Sequence, residues 1–281
     1  MNQGTEGQTG IFAGSLAAVA RIPVLGVPTE VGLRLAAAAQ KANGTEVHLK
    51  IEAENGIRLT HNVIAEQDTM SGSFVVVGAH LDSVSEGPGM NDNASGSAAV
   101  LEAALRLVGE PATGIPIRFA FWGAEERGLL GSRHHLSTIP EEERRRIGLY
   151  INLDMVGSPN FARFIQYTSE NSSGLVARIA ASLNHAFAQH RLPVEERTRR
   201  SRGFGSDDAS FATKGIPAIS LFTGAGGVKN KAQAQQFGGS AGQPVDPCYH
   251  KACDIVANIS EQVLKQITDA LTDALNELAS H

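Results

Sequence analysis

Four apolar residues in a row, Phe74, Val75, Val76 and Val77, run into Gly78 and Ala79. A continuous run of this length, without polar alternation, predicts a strand covered on both faces. Similar short runs at 62–65, 117–122, 149–153, 164–167 and 218–222 predict five more strands. Between them the apolar spacing changes to three and four. Ala98, Leu101, Leu105 and Val108 share one helical face, as do Leu175, Ile179, Leu183 and Phe187. Ser260 reads as the N-cap of a terminal helix that turns Val263, Ile267, Leu271 and Leu275 inward. From Arg58 onward the alternation of strand and helix predicts an α/β domain, with a largely parallel sheet covered by helices on both faces. No internal repeat is visible.

Upstream of Arg58 the pattern is different. Residues 11–57 are rich in alanine and other small residues and carry no cluster of chemically active side chains. IPVLGVP at 22–28 predicts a short strand. Thr29 then predicts the N-cap of a helix through EVGLRLAAAAQKA that Gly44 ends, and VHLKIEAE at 47–54 predicts an alternating, exposed strand. A strand, a helix and a strand do not close a core, so these elements are expected to belong to a larger unit.

The 281 residues, 42% of them apolar, suffice for one large α/β domain or for a domain of roughly 200 residues with a smaller companion. With 24 Lys and Arg against 29 Asp and Glu, the chain lacks the basic excess of a nucleic-acid groove or a polybasic membrane face. The run EEERRR at 141–146 reads as a solvated helix turn. No stretch reaches the ~18 consecutive apolar residues of a membrane span, and residues 1–10, MNQGTEGQTG, lack the basic-then-apolar pattern of a signal peptide. Cys248 and Cys253 flank Tyr249 and His250. They could be reduced bystanders, but their place around a candidate ligand favours a local disulfide, and with it an oxidising compartment.

Candidate chemistry gathers at strand ends. His80 follows the run at 74–78, and Asp92 closes a loop that Gly78, Gly87 and Gly89 allow to turn tightly. Glu125 and Glu126 follow the strand ending at Trp122, and Asp154 follows the strand ending at Leu153. With His250 these give two imidazoles and four carboxylates at one sheet edge. Such a set suits two divalent ions, since zinc accepts both ligand types and a shared carboxylate can hold two ions about 3.5 Å apart. Taken singly, an Asp after a strand is more often a turn or cap, a Glu pair a helix start, and a His a hydrogen-bonded surface residue. The joint placement is what points to a metal. His48, His61, His134, His135, His185, His190 and His281 lack such company and read as structural or surface residues.

AHLDSV with MNDNASGSAAVLEAA, FWGAEERGLLGS, NLDMVG, SDDASF with KGIPAISLFTGA, and DPCYHKACD occur in that order. From about residue 58 to its end the chain thereby resembles the co-catalytic di-zinc aminopeptidases, the secreted leucyl-type exopeptidases of bacteria. The resemblance implies the zinc exopeptidase fold, a three-layer αβα arrangement with a mostly parallel mixed central sheet. Residues 11–57 resemble the second half of a protease-associated domain, which divides the chain into a partial domain at 1–57 and a peptidase domain at 58–281. The resemblance further implies two zinc ions bridged by Asp92, with His80 and Asp154 completing one site and Glu126 and His250 the other. Glu125 would be the general base, taking a proton from the bridging water and returning it to the leaving amine. Asp82 would orient His80, and Tyr249 would donate to the tetrahedral oxyanion. A cis peptide bond at Asp92–Asn93 and a Cys248–Cys253 disulfide are implied as well. Peptides with a free N-terminus would be the substrates, in a secreted or extracellular setting without nucleic acid; bound calcium is left open.

Two departures matter. Where the family usually has Ser-Asp-His, often after arginine, this chain has Gly205 before Ser206, Asp207 and Asp208. Asp207, Asp208 and Phe222 are expected at the substrate pocket, and a carboxylate at Asp208 is expected to favour a basic N-terminal residue. Relatives with the insertion also carry peptidase sequence and a signal peptide ahead of it, whereas Met1 falls inside it, as expected of an N-terminally truncated frame. Other enzymes share the fold, among them carboxypeptidases, deacylases and glutaminyl cyclases, as do non-catalytic receptor ectodomains; the intact set of six ligand and base positions argues against the last.

Overall fold

The computed structural model describes residues 22, 24–41, 45–50, 57–66, 72–108, 114–168, 174–198 and 205–280. The chain divides into two units, Met1–Leu59 and Thr60–His281.

In the first unit the described regular element is helix α1, Thr29–Ala39, which buries none of its residues. Thr29 is its first helical residue rather than its cap. Pro28 takes the N-cap position with ψ of 147° and makes no side-chain bond, in keeping with the fixed φ of proline at a helix entry. The helix closes at Ala39, and Gly44, the expected stop, lies outside the described residues. The strands expected at 22–28 and 47–54 are not formed at 24–28 or at 47–50, and the remainder of the second lies outside the described residues. Val24 and Val47 are exposed, and an apolar run without a strand to pair with has no ladder to join.

The second unit is built on a seven-stranded sheet. Its strands are β1 (Val63–Glu66), β2 (Phe74–His80), β3 (Ile117–Trp122), β4 (Ile147–Leu153), β5 (Phe164–Tyr167), β6 (Glu195–Thr198) and β7 (Ala218–Phe222). Their order is β1-β3-β2-β4-β7-β5-β6. β1 runs antiparallel to β3 and β5 antiparallel to β7; the other pairs are parallel. The expected mixed, mostly parallel sheet is therefore present. β6 was not foreseen, because Glu-Glu-Arg-Thr has no apolar run; it is an edge strand, held by the Tyr167 hydroxyl donating to Glu196 and by Arg197 lying 3.8 Å above the Phe164 ring.

Alternation along β2 sorts the layers. Val75, Val77 and Ala79 face one core with α2 (Gly96–Leu107), α5 (Gly174–Gln189) and α8 (Glu261–Ser280). Phe74 and Val76 face another, which includes Leu136 of α3 (Leu130–Thr138) and Phe211 of α6 (Asp208–Ala212). All seven β2 residues are buried; each large apolar side chain so covered contributes about 1.5–3 kcal/mol. Ile179, Leu183 and Phe187 of α5 and Val263, Ile267, Leu271 and Leu275 of α8 point inward as the periodicity predicts, with Ser260 Oγ capping the Val263 N–H. The run EEERRR forms α4 (Glu141–Arg146), which buries no residue, and a short helix, α7 (Lys231–Phe237), precedes α8.

The phase predicted for α2 is corrected. Leu101 and Leu105 are 51% and 60% exposed and Val108 is exposed too, whereas Ala99, Val100, Ala103 and Leu107 are buried. α2 packs on β2 and α8, and the small side chains of Ala99 and Ala103 permit that approach. A competing leucine stripe on the same helix is left outside.

Candidate metal centre

β3, β2 and β4 are neighbours, and all three end at the same edge of the sheet. The carboxyl edge of parallel strands is where the following loops converge. His80 is the last residue of β2, Glu125 and Glu126 come just after β3, and Asp154 comes just after β4. Gly78, two residues before His80, has no room for a side chain, since a Cβ there would lie 2.8 Å from both Trp122 Nε1 and the Tyr150 hydroxyl. Those two atoms are hydrogen-bonded at 2.9 Å beneath the strand. Asp92 sits in an irregular helical turn, Met90–Ser95, that leads into α2, and its bond to Asn93 is cis. His250 arrives from a loop closed by the Cys248–Cys253 disulfide. Ala124, Met155 and His250 each have positive φ, near 58°, 50° and 56°, so the chain makes a sharp left-handed step beside each of these ligand candidates.

These elements bring the expected residues together as two groups with one member in common. His80, Asp92 and Asp154 form the first, and Asp92, Glu126 and His250 the second; within each group the donor atoms lie within 4.8 Å of one another. His80 Nε2 is 3.3 Å from Asp92 Oδ1 and 3.6 Å from Asp154 Oδ1. His250 Nε2 is 3.0 Å from Asp92 Oδ2 and 3.3 Å from Glu126 Oε1. Each oxygen of Asp92 thus serves a different group. His80 Nε2, Glu126 Oε1 and Asp154 Oδ1 are buried without a hydrogen-bond partner. An unsatisfied buried polar atom costs about 1–3 kcal/mol, and here the three atoms turn toward the same two places. Cations fit both.

The electrostatics agree. Burial disfavours the charged form of His80, but Asp154, Asp92 and Glu125 raise its pKa well above the ordinary value. The adjoining carboxylates, Asp92 first and then Glu126, raise His250 to about 10. Burial would lift Asp92, yet His250 and His80 hold it down at about 2. Glu125 is pushed up to about 9, first by burial, against the pull of His80, and then by the carboxylates of Asp154, Asp207 and Glu126. A pocket in which imidazoles gather protons and a carboxylate resists losing one is a pocket short of positive charge.

Asp82 meets His80 Nδ1 through its backbone carbonyl, with its carboxylate Oδ1 3.8 Å away. The Nδ1–H of His80 donates to the backbone carbonyl of Asp82 at 2.9 Å, which leaves Nε2 free to act as a ligand. The Asp82 carboxylate instead accepts the backbone N–H groups of Glu125, at 2.8 Å, and Glu126, at 3.2 Å. Tyr249 stacks on His250 with ring centroids 3.9 Å apart, and burial followed by the carboxylates around it raises its pKa, keeping the phenol a donor.

A cleft of about 350 Å³ opens over the two groups. Phe222 lines it, together with Met155, Gln166, Ser206, Ser220 and Ala225. Asp207 and Asp208, expected there, are 0% and 1% exposed and are not among the lining residues. Asp208 begins α6 and accepts a hydrogen bond from the Ser220 hydroxyl at 2.8 Å, so it stands behind the wall that Ser220 forms. Burial raises Asp207 to about 7. Gln166 and Ser220 went unassigned in the sequence reading because each is a single polar residue inside an apolar strand; the interruption itself is the one signal they leave.

A carboxylate that joins two imidazole–carboxylate groups at a sheet edge defines a class: α/β domains with a donor set suited to zinc. The chain belongs to peptidase family M28, whose profile matches residues 62–275. It is 44% identical over 234 residues to an aminopeptidase of Pseudomonas aeruginosa, a match covering 80% of this chain and 42% of that protein. It is 39% identical over 254 residues to a probable lipoprotein aminopeptidase of Mycobacterium tuberculosis, covering 87% and 49%. Among solved structures, a zinc aminopeptidase from Bacillus subtilis superposes with a TM-score of 0.61 at 30% identity, over 77% of this chain and 49% of that one. The chain spans about half the length of these curated relatives.

Proposed function

We propose that this chain is a zinc aminopeptidase that hydrolyses the N-terminal bond of peptides with a free α-amine. The observation that carries the reading is the division of Asp92, one oxygen to the His80 group and the other to the His250 group. His80, Asp154 and Asp92 would hold one zinc ion, and Glu126, His250 and Asp92 the second. Bound there, the pair would acidify a water molecule and polarise the scissile carbonyl. Glu125, in the cleft but outside both groups, takes the proton of the attacking water and delivers it to the departing amine. Tyr249, held as a protonated donor beside His250, stabilises the developing oxyanion. Phe222 and Ser220 form the wall against which the first side chain of the peptide rests.

The aminopeptidase relatives support the activity, the zinc aminopeptidase from Bacillus subtilis supports the metal, and the disulfide supports a location outside the reducing cytoplasm. We read residues 1–57 as part of a protease-associated domain on the resemblance alone. Glu125→Gln tests the assignment of roles: zinc content and thermal stability should be retained while turnover of a leucyl anilide falls by at least about a thousandfold. Normal turnover in that variant would refute the role of the base, and hydrolysis of the N-acetylated anilide at an equal rate would refute aminopeptidase specificity.

A further inference from the structure

Asp92 is held in place by a residue 162 positions away. The Asp254 carboxylate accepts the backbone N–H of Asn91 through Oδ1, at 2.9 Å, and that of Asp92 through Oδ2, at 3.1 Å. The Asp254 carbonyl accepts the N–H of Met90 at 3.1 Å. Three consecutive N–H groups of the turn carrying the shared carboxylate therefore end on one residue. A second buried carboxylate, Asp246, accepts the Asn91 side-chain amide at 2.6 Å and the Cys248 N–H at 2.8 Å. Between the two acids lies Asn258, whose Nδ2 is 3.0 Å from Asp246 Oδ1 and 3.3 Å from Asp254 Oδ1. Asp246, Asp254 and Asn91 are at most 2% exposed and Asn258 is 8% exposed.

The topology of this network gives it a meaning beyond packing. Asp246 stands two residues before, and Asp254 immediately after, the disulfide-closed loop that presents Tyr249 and His250. Asn258 closes the base of that loop, and Asp254 fastens it to the backbone of Asp92. His250 and Asp92 Oδ2 are thereby placed by a single hydrogen-bonded piece. The other group shares Asp92, but its remaining two members have separate supports: His80 ends a fully buried strand and donates to the Asp82 carbonyl, and Asp154 follows β4.

Resting on the two-zinc reading above, we propose that Asp254 and Asn258 are positioning residues for the metal centre, acting most on the His250-side ion, because they fasten the His250 loop as well as Asp92, and less on the His80-side ion, which they reach through Asp92 alone. Partners of this kind outside the ligand set are typically worth 10- to 100-fold in metal affinity.

The test is zinc release from the zinc-loaded full-length chain to a chromogenic chelator, for the wild type, Asp254→Asn and Asn258→Ala, with unfolding temperatures measured alongside. Asp254→Asn keeps the shape of the side chain and carries the test if Asn258→Ala does not fold. In each folded variant one zinc ion should be released at a 10- to 100-fold lower chelator concentration, and the shift of the other should be smaller by at least about threefold. Combining either change with Glu126→Ala should give no further loss, because that site is already disabled. Equal weakening of both ions, unchanged release, or an additive loss in the Glu126→Ala background would overturn the proposal. A wild type that retains no second zinc ion would instead overturn the two-zinc reading, and this proposal with it.

Discussion

Asp82 and Glu125 are joined through the backbone: a carboxylate oxygen of Asp82 accepts the Glu125 N–H at 2.8 Å. The same carboxylate accepts the Glu126 N–H, so Asp82 sets the course of the chain where the proposed base and a proposed ligand leave β3. The hydrogen bond to His80 runs through the Asp82 carbonyl, which any residue at this position supplies, while the carboxylate stands farther off, 3.8 Å from Nδ1. Asp82→Ala should therefore retain both zinc ions and the His80 geometry while lowering kcat about 10- to 100-fold, the loss expected when charge-assisted hydrogen bonds of about 1.5–3 kcal/mol are removed. Metal analysis and steady-state kinetics on one preparation check this; loss of one zinc ion in step with activity would assign Asp82 to His80 after all.

His135 ties stability to pH away from the metal centre. Burial, and then the neighbouring Arg118 charge, lower its pKa to about 4, its Nε2 is buried without a partner, and its ring lies 5.2 Å from that of Trp122. The unfolded chain takes up this proton near pH 6.5 and the folded chain only near pH 4. Folding stability is thus unaffected above about pH 6.5, falls as the pH drops through that window, and is fully reduced below about pH 4. Discounted for partial exposure, the loss is about 1–2 kcal/mol. Thermal unfolding from pH 7 to pH 4.5 should show a shallower decline in His135→Gln than in the wild type; parallel declines would exclude His135 as the source.

The placement of Asp208 bears on substrate choice. Buried behind Ser220 and accepting its hydroxyl, the carboxylate cannot meet an N-terminal side chain directly. Asp208→Asn should change the ratio of arginyl to leucyl anilide hydrolysis by less than about threefold, within 1 kcal/mol. A tenfold fall in that ratio would mean that the carboxylate reaches the cleft and would restore the expected preference for a basic residue.

What could be read from the sequence followed from how each residue reports its surroundings. The central strands were legible because β2 and β4 are covered on both sides and therefore appear as unbroken apolar runs. The candidate ligands were legible because parallel strands deliver their next residues to one edge, so strand ends alone marked His80, Glu125, Glu126 and Asp154. β6 was not legible, since an edge strand packed through Arg197 and Glu196 leaves no apolar pattern. The phase of α2 was misread because its leucines outweigh its alanines in hydrophobicity, while its close packing on β2 and α8 selects the small ones. The bonds from Asp254 to Asp92 and from Asp246 to Asn91 were invisible, because hydrogen bonds across more than 150 residues leave no local trace.

The claim on which the rest depends is that one carboxylate serves two metal sites, and counting zinc per chain after exhaustive dialysis tests it most directly. Two zinc ions are expected in the wild type, one in His250→Ala, one in His80→Ala and none held tightly in Asp92→Ala, with activity lost on chelation and restored by zinc. Two tightly held ions in Asp92→Ala, or a wild type that binds one or none, would contradict it.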